Sequence, residues 1–94
     1  MKVWKFEIPI ADEFMFPMPG GARILDVQMQ HGLPQMWALI EEGVELETRR
    51  FRLLGTDGLD VYPSPGYELI HIGTFQHEPA FVFHLFEVAV QGDQ

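Results

Sequence analysis

Four histidines, His31, His71, His77 and His84, are the residues of this chain best suited to acid–base or metal chemistry. His71 and His77 fall on one strand face by period-two spacing. A two- or four-residue loop centred between Glu78 and Pro79 sets Gly73 opposite His84, on the sheet face of His71 and diagonal to it. An odd loop would send His84 to the opposite face. A metal asks for three or four converging ligands, commonly histidines with a carboxylate. Here His31 or Asp26 would have to complete the set, and no spacing indicates that either does. Neither a metal nor another cofactor is expected.

The arginines suggest a different chemistry. Arg49, Arg50 and Arg52 place half of the six basic residues within four positions, and Arg50 and Arg52 share a strand face. In a chain of net charge −8, that concentration suits a phosphate or carboxylate held by bidentate hydrogen bonds. The simpler expectation is internal pairing with Glu41, Glu42, Glu45 and Glu47 in the preceding acidic loop. Asp26, Gln28 and Gln30 form a stripe of hydrogen-bonding groups on another strand. A ligand pocket, if the chain builds one, is expected from Arg50, Arg52, Gln28 and Gln30, with a small anionic molecule as its occupant.

Covalent catalysis has few candidates. There is no cysteine, the lone serine (Ser64) sits in a Pro-Ser-Pro-Gly turn, and the two lysines (Lys2, Lys5) lie near one end. No paired carboxylates are placed in an apolar pocket by spacing, and Gly55-Thr56-Asp57-Gly58 is not a phosphate loop. The expectation is a protein that is not an enzyme. An acidic surface repels nucleic acid and anionic membrane alike, so neither is an expected partner.

These groups must be positioned by strands. Alternation is clear in Val3–Pro9 and clearest in Arg23–His31. Phe14–Met18 is a short apolar strand and Thr48–Leu54 a β-rich run. Tyr67–Gln76 and Phe81–Val90 make the last pair, with Phe81–Phe86 apolar on both faces as in a central strand. In Arg23–His31, Leu25, Val27 and Met29 are assigned to one face, and Gly32-Leu33-Pro34 is read as the break. Met36–Glu42 fits a short helix or a strand; strand is chosen, paired as a hairpin with Thr48–Leu54. Gly55-Thr56 and Gly73-Thr74 both follow apolar runs, too little for a repeat. About seven strands with little or no helix predict a small antiparallel β-sandwich or partly open β-barrel. With 94 residues and 47% apolar composition, one domain is expected over 1–90, with a flexible tail at 91–94. Eight phenylalanines and two tryptophans exceed what so small a core needs, so a homo-oligomer could cover the remainder. No signal-like or membrane-spanning apolar run is seen, and a cytoplasmic location is expected.

Val3-Trp4-Lys5-Phe6-Glu7-Ile8-Pro9, Pro19-Gly20-Gly21-Ala22-Arg23-Ile24-Leu25-Asp26-Val27-Gln28, and His31-Gly32-Leu33-Pro34 with Trp37-Ala38-Leu39 follow one another in the first half of the chain. Arg50-Phe51-Arg52, Gly55-Thr56-Asp57-Gly58, Ile72-Gly73-Thr74-Phe75-Gln76 and Phe81-Val82-Phe83-His84-Leu85-Phe86-Glu87 continue the series. In the order and spacing of these pieces the chain resembles, over nearly its whole length, a family of short bacteriophage and prophage proteins without assigned activity. The resemblance implies no catalytic residues, only a setting: a small accessory protein in a phage-infected or lysogenic bacterium. The expected function is a non-enzymatic protein–protein interaction module, engaging itself or a bacterial host protein. The alternative is a binder that sequesters an anionic, nucleotide-like molecule of host defence.

Overall fold

Alternating apolar residues carry directly into strands, because successive side chains leave a strand on opposite faces. The computed structural model describes residues 1–58, 63–77 and 79–91, which hold seven strands and no helix. They are β1 (Lys2–Glu7), β2 (Glu13–Pro19), β3 (Arg23–Gln30), β4 (Leu33–Ile40), β5 (Leu46–Gly55), β6 (Tyr67–His77) and β7 (Phe81–Val90). All pairings are antiparallel. One sheet runs β1-β4-β3 and the other β2-β5-β7-β6. Neither closes into a barrel, so the expected mainly β fold is realised as a sandwich.

The inner faces supply the core. Phe14, Phe16 and Met18 of β2 meet Phe51 and Leu53 of β5, Leu85 of β7 and Phe75 of β6. Against them pack Met36, Ala38 and Ile40 of β4 and Val27 of β3. Phe51 is 1% exposed, with ring centroids 5.4 Å from Phe14 and 5.3 Å from Phe16. Phe6 stacks on Phe16 at 5.5 Å, joining the β1 side of one sheet to the β2 side of the other. Pro17 and Pro19 are tolerated within β2 because it is an edge strand, with no outer ladder for a missing N–H to break.

Several sequence expectations are corrected. The β4–β5 hairpin does not form: β4 pairs with β1 and β3, and β5 pairs with β2 and β7. The acidic loop crosses between sheets instead of turning within one. Pro34 does not end a run, since it lies inside β4 opposite Met29. The turn is His31 (φ 54°) and Gly32 (φ 81°), between Gln30 and Leu33, and their positive angles suit a tight hairpin. The register of β3 shifts between Ile24 and Asp26, so Ile24, not the exposed Leu25, packs on the core. Of the expected tail, Gln91 is held by donation from its N–H to the Gly66 carbonyl, and residues 92–94 lie outside those described. The loop position Glu78 also lies outside them. No helix among the described residues is long and apolar enough to cross a membrane.

Candidate functional site

Where Phe51 and Leu53 point into the core, the residues between and beside them must point away. Arg50, Arg52 and Leu54 therefore lie on the outer face of the four-stranded sheet. The strand register builds rows across this face. One row reads Glu13, Arg52, Phe86, His71, and the next carries Leu54, His84 and Thr74.

Two irregularities in β6 and its turn bring the histidines together. The hairpin pairs His77 with Phe81, enclosing three residues, and sets Thr74 rather than Gly73 opposite His84. An odd loop alone would separate the two histidine faces. A bulge between His71 and Gly73 adds one residue at Ile72 and restores His71 to the face of His84. The same bulge removes His77 from that face, contrary to period-two spacing. His77 lies half-buried, edge-on to Phe83 with centroids 6.4 Å apart.

The result is a continuous hydrogen-bonded chain. Thr74 Oγ1 lies 3.3 Å from His71 Nε2 and 3.0 Å from His84 Nδ1, and Thr56 Oγ1 lies 2.7 Å from His84 Nε2. Both nitrogens of His84 are thus held by hydroxyls, which fixes the ring plane. The His71 ring meets Phe86 edge-on at 5.2 Å. No group of three metal-ligating residues exists among the described residues; His31 stands in the β3–β4 turn and Asp26 on the other sheet. The two threonines were not singled out as site residues. Their one signal was the pair of Gly-Thr steps, Gly55-Thr56 and Gly73-Thr74.

Gly73 has a packing reason to be glycine. A Cβ there would sit 2.8 Å from Cγ1 of the buried Val27 and 3.4 Å from Asp26 Oδ1. Gly73→Ala therefore wedges β6 from β3, with an expected loss of about 1–3 kcal/mol. Thermal unfolding checks it; an unchanged melting temperature would show that the two strands separate freely.

The arginines divide in two. Arg49 turns inward, its Nε and Nη2 donating to the two Glu87 carboxylate oxygens and its Nη1 donating to the Ala22 carbonyl at 2.8 Å. The hydrogen-bonded Glu87 carboxylate raises the Arg49 pKa above its ordinary value, against the lowering effect of burial. Of the acidic run, Glu42 meets Lys2 at 3.3 Å, while Glu47 adds its attraction to that of Glu87 on Arg49. Arg50 has no carboxylate within ion-pair distance among the described residues, and its guanidinium lies 5.7 Å from the Tyr67 ring centre. Arg52 has a single long contact, 3.8 Å from Glu13, and its buried Nε has no hydrogen-bond partner among the described residues.

Gln28 and Gln30 stand apart from the arginines, on β3 of the other sheet. Gln28 donates to Asp26 Oδ2 at 2.9 Å, and Gln30 accepts from Lys5 Nζ at 2.7 Å. Gln28 also lines a cleft of about 410 Å³ with Asp26, Val27, Met29, Thr74, Phe75 and Gln76, which includes neither Arg50 nor Arg52. The four residues proposed for one pocket thus divide between two surfaces, with Thr74 the member common to cleft and histidine chain.

No curated protein and no solved structure matches this chain. A family model described as a domain of unknown function (DUF7352) matches residues 1–94. Histidine chain, arginine face and sandwich together are therefore features of a member of that family, to which this chain belongs.

Proposed function

We propose that the domain is a non-enzymatic interaction module that engages a partner protein through the outer face of its four-stranded sheet. The observation that carries this reading is Arg50 and Arg52 on a common face with the half-buried Leu54, Phe86 and Val88, while the nearby carboxylates of the acidic loop lie elsewhere. Arginine and aromatic side chains on an apolar bed are enriched where interfaces concentrate their energy. In a chain of net charge −8, such a face suits an acidic or otherwise anionic segment. The resemblance to phage and prophage proteins supports an accessory role in the cytoplasm of a bacterial cell, with a host protein or a second copy as partner.

Affinity capture from a bacterial lysate tests it, comparing the native chain with the Arg50→Glu/Arg52→Glu double variant. Each arginine of a hot spot is worth about 2 kcal/mol or more, so a specific partner should weaken by at least ~30-fold per site. Partners held equally by both proteins would overturn the reading. Native mass spectrometry of the captured species separates self-association from a host complex. A small anionic ligand is the second reading, favoured by the donors of Thr56, Thr74, His71 and His84 beside Arg52.

A further inference from the structure

The three-stranded sheet turns its own outer face to solvent. Met36, Ala38 and Ile40 of β4 point into the core, so Gln35, Trp37 and Leu39 point outward. The register sets three rows across this face: Val3, Leu39 and Arg23; Lys5, Trp37 and Asp26; Glu7, Gln35 and Gln28. Trp37 and Leu39 are half-buried, while Val3 and Leu25 are 55% and 45% exposed, so an apolar patch centres on β4.

The ionised groups of these rows balance, Lys5 and Arg23 against Glu7 and Asp26, in a chain of net charge −8. None of the four joins an ion pair among the described residues. Lys5 Nζ donates to the Gln30 amide oxygen at 2.7 Å, an exposed contact with a weaker acceptor than a carboxylate. Asp26 accepts from the Val27 N–H at 2.8 Å and from Gln28 Nε2 at 2.9 Å. A carboxylate has about four acceptor sites, so Asp26 has room for a cation.

Strand order decides how such a face meets a copy of itself. β4 is flanked by β1 and β3, and a two-fold axis along β4 exchanges the flanks. Two copies laid face to face about it set β1 of each over β3 of the other. Lys5 then faces Asp26 of the second copy, Glu7 faces Gln28, Val3 faces Arg23, and Trp37 meets Trp37 on the axis. No like charges meet. A two-fold axis across the strands would instead set Lys5 on Lys5 and Asp26 on Asp26. Facing sheets cross at about 30°, which displaces the central row least. Over the rest of its surface each copy carries the whole of its negative charge and repels another.

We infer that this face is the interface of a homodimer, held by two Lys5–Asp26 ion pairs on either side of Trp37. The arginine face of each copy then points away from the interface, so the dimer carries two recognition surfaces on opposite sides. The two faces belong to different sheets, and either assignment can fail without the other.

Sedimentation equilibrium of the native protein over a concentration series is the test, with a dimer expected. Lys5→Glu sets a carboxylate against Asp26, and Asp26→Lys sets an ammonium against Lys5, so each variant alone should be monomeric. An equimolar mixture of the two should dimerise again, since every facing pair is then opposite in charge. Trp37→Ala should weaken the dimer at least ~30-fold. Circular dichroism checks the folding of each variant, because Asp26→Lys removes the acceptor of the Val27 N–H. Should that variant not fold, Val3→Glu replaces it: the position is exposed and faces Arg23 of the second copy, so the dimer should tighten. A native monomer at every concentration overturns the inference, as does a mixture that stays monomeric or a Val3→Glu dimer no tighter than the native one. So does a dimer that survives Lys5→Glu and Trp37→Ala and is lost in Arg50→Glu/Arg52→Glu, which would place the contact on the other sheet.

Discussion

Phe51→Ala is expected to cost about 3–5 kcal/mol of unfolding free energy, the largest effect of any single truncation considered for this protein. The ring is 1% exposed and touches Phe14 and Phe16, two residues of the neighbouring edge strand. Truncation removes transfer energy and leaves a cavity that the paired strands β2 and β7 prevent from closing. A domain of this size has only about 5–15 kcal/mol of stability to lose. Equilibrium urea unfolding should show a much lower midpoint with little change of slope. A loss below about 1 kcal/mol would mean that the aromatic layer rearranges to fill the gap.

Arg49→Ala is expected to cost about 2–4 kcal/mol, for an electrostatic reason. Both Arg49 and Glu87 side chains are only 16% exposed, and Glu87 is left without its cation when the guanidinium goes. The Ala22 carbonyl loses its donor at the same time, and with it a tie between β5 and the start of β3. For a chain of this length each kcal/mol corresponds to about 4–8 °C in melting temperature, so a drop of at least ~8 °C is expected. Arg49→Lys keeps the charge and loses the fork, and should fall between the two. An Arg49→Lys variant as unstable as Arg49→Ala would show that the lost fork and packing, not the lost charge, account for the cost.

What could be read from the residues alone follows the reach of local rules. Val3–Pro9 and Arg23–His31 show their strands by alternation and Phe81–Phe86 by being apolar on both faces, whereas Met36–Glu42 fits a short helix as well as the strand it forms. Pairing was not legible. β4 and β5 are neighbours in sequence with a short loop, yet the loop carries the chain from one sheet to the other, and nothing in Glu41–Glu47 encodes that crossing. Faces were legible only until a bulge intervened. At Leu25 and at Ile72 one extra residue inverts everything beyond it, and neither position has a distinctive side chain. Whether His71 and His84 share a face hangs, in the sequence, on the parity of one loop; in the structure an odd loop and a bulge offset one another to bring them together. The arginine run carried its candidate chemistry openly, but only the core contacts of Phe51 and Leu53 separate the inward Arg49 from the outward Arg50 and Arg52. Gln28 and Gln30 were placed with them by hydrogen-bonding type, a property that says nothing about which sheet a strand joins.

The two prolines of β2 have a meaning for how such chains coexist at high concentration. A strand rim is a template for another strand only where it offers a regular row of amide donors and carbonyl acceptors, and Pro17 and Pro19 leave gaps in that row. On the opposite border of the same sheet, β6 is bent by its bulge and packed beside β3. The larger sheet is thus blunted at both ends, and its copies are steered away from end-to-end polymerisation into continuous β ribbons, leaving the flat faces as the surfaces on which molecules can meet.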